Sequence, residues 1–326
     1  MSDATRRTRA RAYWRPNELR QWLGVAAAAL FWGWLLFRWA NDWLLNGAVI
    51  SSGQPLIPAS TFASVAESMA ATADALGVLG WPIAQLGGLF SFLATGASAL
   101  PALAQGAWLT VLLTVTSIVF GFVLAVPLAV MRVYGDRTAW LSLGYTELIR
   151  GTPLLAQLFV LYYGMGLSSW IRELPLVGVG FVPGQAVWIA IIGFTINGSA
   201  YQSEYIRAAI ESVDSGQLTA ARAVGMSKLT GIRYVVLPQG LRYAIPGWSN
   251  ELVYLIKYSS LAAFITVPEL FERADAIASE TFEFTTMYAL AALLYLGLVL
   301  SASKLMSIVE QLVAIPGLGN VEGREG

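Results

Sequence analysis

The sequence predicts an all-α integral membrane protein with about six transmembrane helices. Three observations carry this. Hydrophobic residues make up 56% of the 326 residues and charged residues only 12%, about half the ~25% of a soluble domain. Several runs reach the roughly 20 apolar residues needed to cross a bilayer core. The basic residues segregate into alternate loops, as the positive-inside rule requires.

The first span follows Arg6, Arg7, Arg9, Arg11, Arg15 and Arg20. Trp22 to Leu45 exceeds the apolar core of a secretory signal, about 7–15 residues. It is rich in tryptophan, which suits both membrane interfaces, so a retained helix is expected over residues 1–45. Its single basic residue, Arg38, lies near the far end, where it can snorkel. Residues 46–105 are rich in Gly, Pro, Ser and Ala, with Glu67 and Asp74 as their acids. Pro82, Gly87 and Gly88 interrupt the apolar stretches there, which predicts an extracytoplasmic connection with short interfacial helices. Five spans follow, at Gly106–Met131, Thr138–Leu167 (interrupted by Glu147, Arg150 and Pro153), Gln185–Tyr205, Tyr243–Val267 and Phe284–Ile308. The stretch from Pro268 to Glu283 reads as a polar loop, and 309–326 as a tail.

Placing the N-terminus inside puts the six N-terminal arginines, Arg132, Arg137, Arg207, Arg222, Lys228, Arg233, Arg242, Lys304 and Arg324 on the cytoplasmic side. Only Arg172 and Arg273 remain in outside loops. This distribution fits an even number of crossings. The zero net charge gives no reason to expect a nucleic-acid partner. With no histidine and no cysteine, zinc clusters, disulfides and His-dependent triads are excluded. Every lysine lacks a preceding glycine, so the chain has no phosphate-binding Gly-Lys-[Ser/Thr] loop.

The most informative stretch is Ser203 to Leu241, a polar, helix-prone insertion between two apolar spans. Ala220, Ala221 and Ala223 favour helix. Gly225 suits a helix C-cap with positive φ. Ser227 can cap a second short helix, and Pro238 should stop or redirect the chain before the next span. Two short helices with a corner at Gly225 are therefore expected. A long, structured, basic loop in a membrane protein is a surface for another protein.

These residues resemble the cytoplasmic signature of the permease subunits of ATP-binding-cassette importers. That signature is E-A-A, three residues, Gly, nine residues, then I-x-L-P. Thr219-Ala220-Ala221, Gly225 and Val235-Val236-Leu237-Pro238 fall at its spacing, with Thr219 in place of the usual Glu and Val235 in place of Ile. The resemblance covers residues 106–308 and looks most like the polar amino-acid branch. It is carried by GAWLTVLLTVTSIVFGFVLAVPLAVMRV from Gly106, YTELIRGTPLLAQLFVLYYG from Tyr145, AYQSEYIRAAIESVDSGQ from Ala200 and LPQGLRYAIPGWSNELVYLIKYSSL from Leu237.

The resemblance implies a five-helix type I importer permease core at 106–308, preceded by one extra N-terminal helix. It implies that Gly216 to Gly225, with Gln217, Thr219, Ala220, Ala221, Leu237 and Pro238, couples to a separate ATP-binding subunit present in two copies. It further implies a second permease chain, identical or related, an extracytoplasmic substrate-binding protein, and an amino acid carried across a prokaryotic cytoplasmic membrane. The chain would be no enzyme and bind no cofactor of its own, ATP and Mg being used by the partner.

Ionisable groups within spans are functional candidates. Asn250 and Glu251 head the candidates for lining the pathway, with Lys257, Asn197 and Tyr201. Glu147 and Arg150, at i,i+3, are expected to pair locally, and Glu204 to act structurally beside Arg207. Two other classes fit a multi-span chain. An ion-coupled carrier would show internal pseudo-symmetry, and no repeat is evident. A membrane-embedded enzyme would need clustered carboxylates within the spans, and none appear.

Overall fold

The computed structural model describes residues 18–179 and 182–313. The arginines at 6–15, Arg324 and the last part of the expected tail lie outside them. All regular structure among the described residues is helical. Helix α1 (Glu18–Trp39) runs on through a π-helical turn to Leu44. A strap at 45–58 leads to α2 (Ala59–Leu76) and, through a 3-10 turn, to α3 (Trp81–Tyr134). Then come α4 (Arg137–Arg150), α5 (Leu154–Phe159) with a π turn to Gly164, and α6 (Leu167–Arg172). The long α7 (Gln185–Glu211) is followed by α8 (Ser215–Ala223), α9 (Lys228–Gly231), a π turn at Ile232–Val236, and α10 (Leu237–Tyr258). A 3-10 segment (Ser259–Ile265), α11 (Leu270–Thr281) and α12 (Phe284–Val313) complete the fold.

Three helical stretches among the described residues are long and apolar enough to cross a membrane: Trp22–Leu44, Ala59–Tyr134 and Phe284–Val313. Helices α7 and α10 match expected spans in position but carry the polar residues considered below.

The region 46–105 differs from expectation. Its short interfacial helices are instead a helical hairpin, in which α2 packs back along the start of α3. Helix α3 begins at Trp81 rather than Gly106 and has 54 residues. At 1.5 Å per residue that is about 80 Å, well beyond the ~30 Å of a bilayer core. The expected breakers do not break it. Pro82 sits in the first turn, where its missing N–H costs no helical bond. Gly87 is buried against Met69 and the Ala66 carbonyl of α2, so the lost helix propensity is offset by close packing.

Pro238 is likewise no stop. The chain is helical from Lys228 to Tyr258, and the wide π turn at Ile232–Val236 directly precedes the proline. A π turn absorbs the extra residue and frees the carbonyl that a proline ring would strike. The expected polar loop at 268–283 is mostly the helix α11. Glu269 caps it: one carboxylate oxygen accepts from Phe271 N at 3.0 Å and the other from Glu272 N at 2.9 Å. Tyr295 Oη on α12 also donates to Glu269 at 2.5 Å.

Helix α7 is the centre of the bundle. It packs along α3 on one side and α10 on the other, burying Ile189, Phe194, Ala200 and Ile206. One core cluster joins α3, α7 and α10 at the end nearer the loop. A second joins α3, α5, α7 and the 3-10 segment at the opposite end. A third holds α1, α3, α11 and α12 around Leu35, Leu103, Leu270 and Met287. Gly106 is where α3 meets α11. A Cβ there would lie 2.8 Å from Leu270 Cα and 2.9 Å from the Glu269 carbonyl carbon, both backbone atoms that cannot give way locally. Gly106→Val should therefore destabilise the detergent-solubilised chain by about 1–3 kcal/mol, the cost of overpacking. Thermal unfolding of the purified variant beside the wild type measures this.

Candidate functional site: a two-helix loop and a polar face on one helix

The loop is built as two helices on a tight corner. Asp214 caps α8, its Oδ1 accepting from Gly216 N at 2.6 Å. The C-terminus of α8 closes as a Schellman motif. Met226 N donates to Ala221 O at 3.1 Å and Gly225 N to Arg222 O at 3.0 Å, with Gly225 at φ +91°. This is the geometry in which a left-handed glycine satisfies the orphan carbonyls of a helix end. Ser227 then caps α9 through Thr230 N at 3.2 Å. The expected corner, cap and two helices are all present, although α9 is continuous with α10 rather than separate from it.

The loop is tied down at its base. Lys228 Nζ donates to the Tyr134 carbonyl at the end of α3 at 3.1 Å. Gln239 Nε2 donates to the Val235 carbonyl at 2.8 Å and reaches Gln217 Oε1 at 3.5 Å. Gly216, Gln217, Thr219, Ala220, Gly225 and Pro238 are exposed, and Leu237 is half-buried. Ala221 is buried and faces Gly231 of α9, so it serves the loop's own packing. Two exposed residues were not expected: Val224 at 77% and Leu229 at 71% stand on either side of Gly225. Helix propensity points to no such apolar tip; its signal is apolar residues flanking a positive-φ glycine in a charged loop.

The second element is one face of α10. Asn250, Tyr254, Lys257 and Tyr258 are exposed at spacings near i, i+4 and i+7/8, hence on one side of the helix. Tyr254 and Tyr258 stack with centroids 5.8 Å apart, and Lys257 Nζ lies 5.1 Å from the Tyr254 ring centroid. Glu251, one residue on from Asn250, is buried beside Gly198 of α7. Glu251 and Lys257 thus do not share a face, as their spacing requires.

Arg150 pairs with Glu204 of α7 at 3.9 Å, not with Glu147, and its guanidinium lies 5.3 Å from the Tyr201 ring centroid. Four residues along one helix cannot offer the arginine what a neighbouring helix supplies here, a carboxylate and an aromatic face together. The expected contact of Glu204 with Arg207 is present, Arg207 Nε donating at 3.0 Å. Asn197, among the pathway candidates, is buried and donates to Gln157 Oε1 at 3.1 Å. Gln157 in turn donates to the carbonyls of Ile149 at 2.7 Å and Thr152 at 3.1 Å. These are the carbonyls freed where the chain breaks at 151–153, so Asn197 braces that break.

Residues 117–315 match the family described as the inner membrane component of binding-protein-dependent transport systems. The chain belongs to that family. Among its relatives is the nopaline transport system permease protein NocM of Agrobacterium fabrum, 38% identical over 202 residues, or 62% of this chain and 83% of NocM. Another is the histidine/lysine/arginine/ornithine transport system permease protein HisM of Salmonella typhimurium, 37% identical over 195 residues, 59% of this chain and 81% of HisM. The crystal structure of an amino acid ABC transporter with histidines aligns with a TM-score of 0.58 at 32% identity, covering 68% of this chain and 98% of that one. Inward-facing MetNI methionine transporter chains share the fold at 20% identity and a TM-score of 0.53. The family permease is thus an inner-membrane protein, and α1, the strap, α2 and the part of α3 before residue 117 precede the matched region.

A polar stripe on a membrane helix is costly against lipid. The chain has no cysteine, so single cysteines can be introduced without background. Asn250→Cys and Lys257→Cys should react with a membrane-impermeant thiol reagent. Val119→Cys and Val123→Cys, on an exposed apolar side of α3, should not. Equal labelling of all four would remove the polar face as a hydrated surface.

Proposed function

We propose that this permease is the membrane subunit of an ATP-binding-cassette importer for amino acids, coupled to a separate ATPase through the α8–α9 loop. The carrying observation is the corner at Gly225. A Schellman-closed helix and a capped second helix hold Val224 and Leu229 outward on a rigid loop braced to α3 and α10. Exposed apolar side chains on a rigid polar loop suit insertion into a groove of another protein. The amino-acid assignment is supported by relatives named for octopine, nopaline, histidine, lysine, arginine, ornithine and cystine transport.

In this reading two ATPase subunits engage two loops, one from this chain and one from a second permease. ATP and Mg belong to the ATPase, since this sequence has no phosphate-binding loop of its own. Closure of the ATPases moves the loops, and α7 and α10, continuous with or adjoining them, carry the motion to the polar face. That is a two-state element biased by a ligand on the partner. Substrate reaches the outer side from an extracytoplasmic binding protein and passes along Asn250, Tyr254 and Lys257, with Tyr201 and Arg150 nearer the loop.

A pull-down of the tagged chain in mild detergent, with mass spectrometry of what it brings, tests the coupling. Recovery of an ATP-binding subunit is expected. Gly225→Trp should still insert but lose that subunit. There is open space around Gly225, so the bulk is felt by the docked partner, while the positive φ adds roughly 1 kcal/mol of local strain. Gly225→Ala, bearing the strain without the bulk, should keep most of the recovery. A wild-type chain that comes down alone, under conditions that preserve a known ATP-driven importer, would point to an ion-coupled carrier instead.

A further inference from the structure

The α2–α3 hairpin stands clear of the bilayer. Helix α1 already spans it: Trp22–Leu44 has 23 residues, about 34 Å of helix against a core of ~30 Å. The outer end of α1 meets α3 at Ala104, whose carbonyl accepts from Trp39 Nε1 at 2.7 Å, and at Trp108, which packs on Trp43. Roughly 20 residues of α3 ahead of Pro101 therefore reach about 30 Å beyond that end, with α2 laid against them.

The two helices present different outward faces. On α2, Thr61, Ser64, Ser68 and Thr72 are exposed at i, i+3, i+7 and i+11, a polar stripe suited to water. On α3, Leu86, Leu89 and Leu93 are 49, 52 and 38% exposed, and Leu79 of the preceding turn 82%. Leu79, Leu86 and Leu93 stand seven residues apart, as do Pro82 and Leu89. No charged residue lies between Asp74 and Arg132, so nothing on this row repels a copy of itself. A protein surface in water rarely leaves such an apolar row uncovered, and lipid tails do not reach this one.

Apolar positions repeating every seven residues fit the surface of a second helix, where each side chain enters a hole between four others. Two copies of a membrane protein share one orientation. A two-fold pair therefore sets its hairpins side by side, parallel and in register, and each leucine meets its own counterpart. We propose that the hairpins of two copies of this chain pair along Leu79, Leu86, Leu89 and Leu93 on the outer side of the membrane. The inference rests on the paired permeases of the proposed importer and makes the second one an identical chain. A seam of two heptads is too small to hold free proteins together. Copies already joined through their spans, however, present their hairpins to each other at effective concentrations of about a millimolar.

Disulfide crosslinking of the full-length chain in native membranes tests this, since the chain has no cysteine of its own. Under copper-phenanthroline oxidation, Leu86→Cys and Leu89→Cys should each give a linked dimer of this chain on a non-reducing gel. Ser64→Cys and Thr72→Cys, on the polar stripe of α2, should stay monomeric. All four side chains are exposed in the single chain, so these substitutions leave its own fold alone. Adding Leu79→Asp and Leu93→Asp to Leu86→Cys should abolish the dimer, because each aspartate would face its own copy. Mass spectrometry of the linked product identifies the partner. Dimers from Leu86→Cys and Ser64→Cys alike, no dimer from either leucine position, or a product containing a different chain overturns the proposal. Recovery of the ATP-binding subunit with the same variants is a separate readout: its presence without crosslinking removes the hairpin pairing and leaves the importer standing.

Discussion

Backbone hydrogen bonding in a medium without water is the constraint on which the rest of this structure depends. In hydrocarbon each unmade backbone bond costs several kcal/mol, so the chain must close its own bonds. Nearly every irregularity in the bundle is accordingly repaired by a side chain or a widened turn. The break at 151–153 releases the Ile149 and Thr152 carbonyls, and the Gln157 amide takes both. The start of α11 exposes amides, and Glu269 takes two of them. Pro238 follows a π turn instead of ending its helix. The polar residues of these spans are therefore largely structural, and only what remains after the repairs is free for transport.

That subtraction separates the two halves of α10. Its buried side offers Glu251 to α7, while Asn250, Tyr254, Lys257 and Tyr258 stay uncovered on the other. Helix α7 undergoes the same division. Asn197 is committed to Gln157, whereas Tyr201 and Glu204 meet Arg150 from α4. The two central helices end at the loop, so the polar face and the apolar tip at Val224 and Leu229 belong to one mechanical unit. Lys228 ties the loop to α3, and Gln217 lies within reach of Gln239 at the start of α10.

The region ahead of the family core follows different physics. Helix α1 is fixed by Trp39, whose indole donates to the Ala104 carbonyl at 2.7 Å, and by Leu35 within the cluster of α3 and α12. The strap and the base of the α2–α3 hairpin close over that end. Burying Arg38 there is affordable only because Asp42 and the Gln54 carbonyl lie within reach, since an unpaired buried charge is strongly destabilising.

Much of this protein was determined by sequence alone, because the signals involved are local. Apolar run length marks α1, α3 and α12. Gly225 marks its own corner, because positive φ is a property of one residue, and Asp214 and Ser227 act as caps within three residues of their targets. What crosses between helices was not legible. Nothing local says that Arg150 prefers Glu204, across the bundle, to Glu147 on its own helix. The length of α3 was hidden for the same reason: Gly87 weakens a helix in isolation and strengthens a hairpin once α2 lies against it. Which side of α10 is polar and free, and that a strap encloses Arg38, were decided only by tertiary packing. Burial and partnership are relations between segments far apart in the chain, and periodicity along one segment does not encode them.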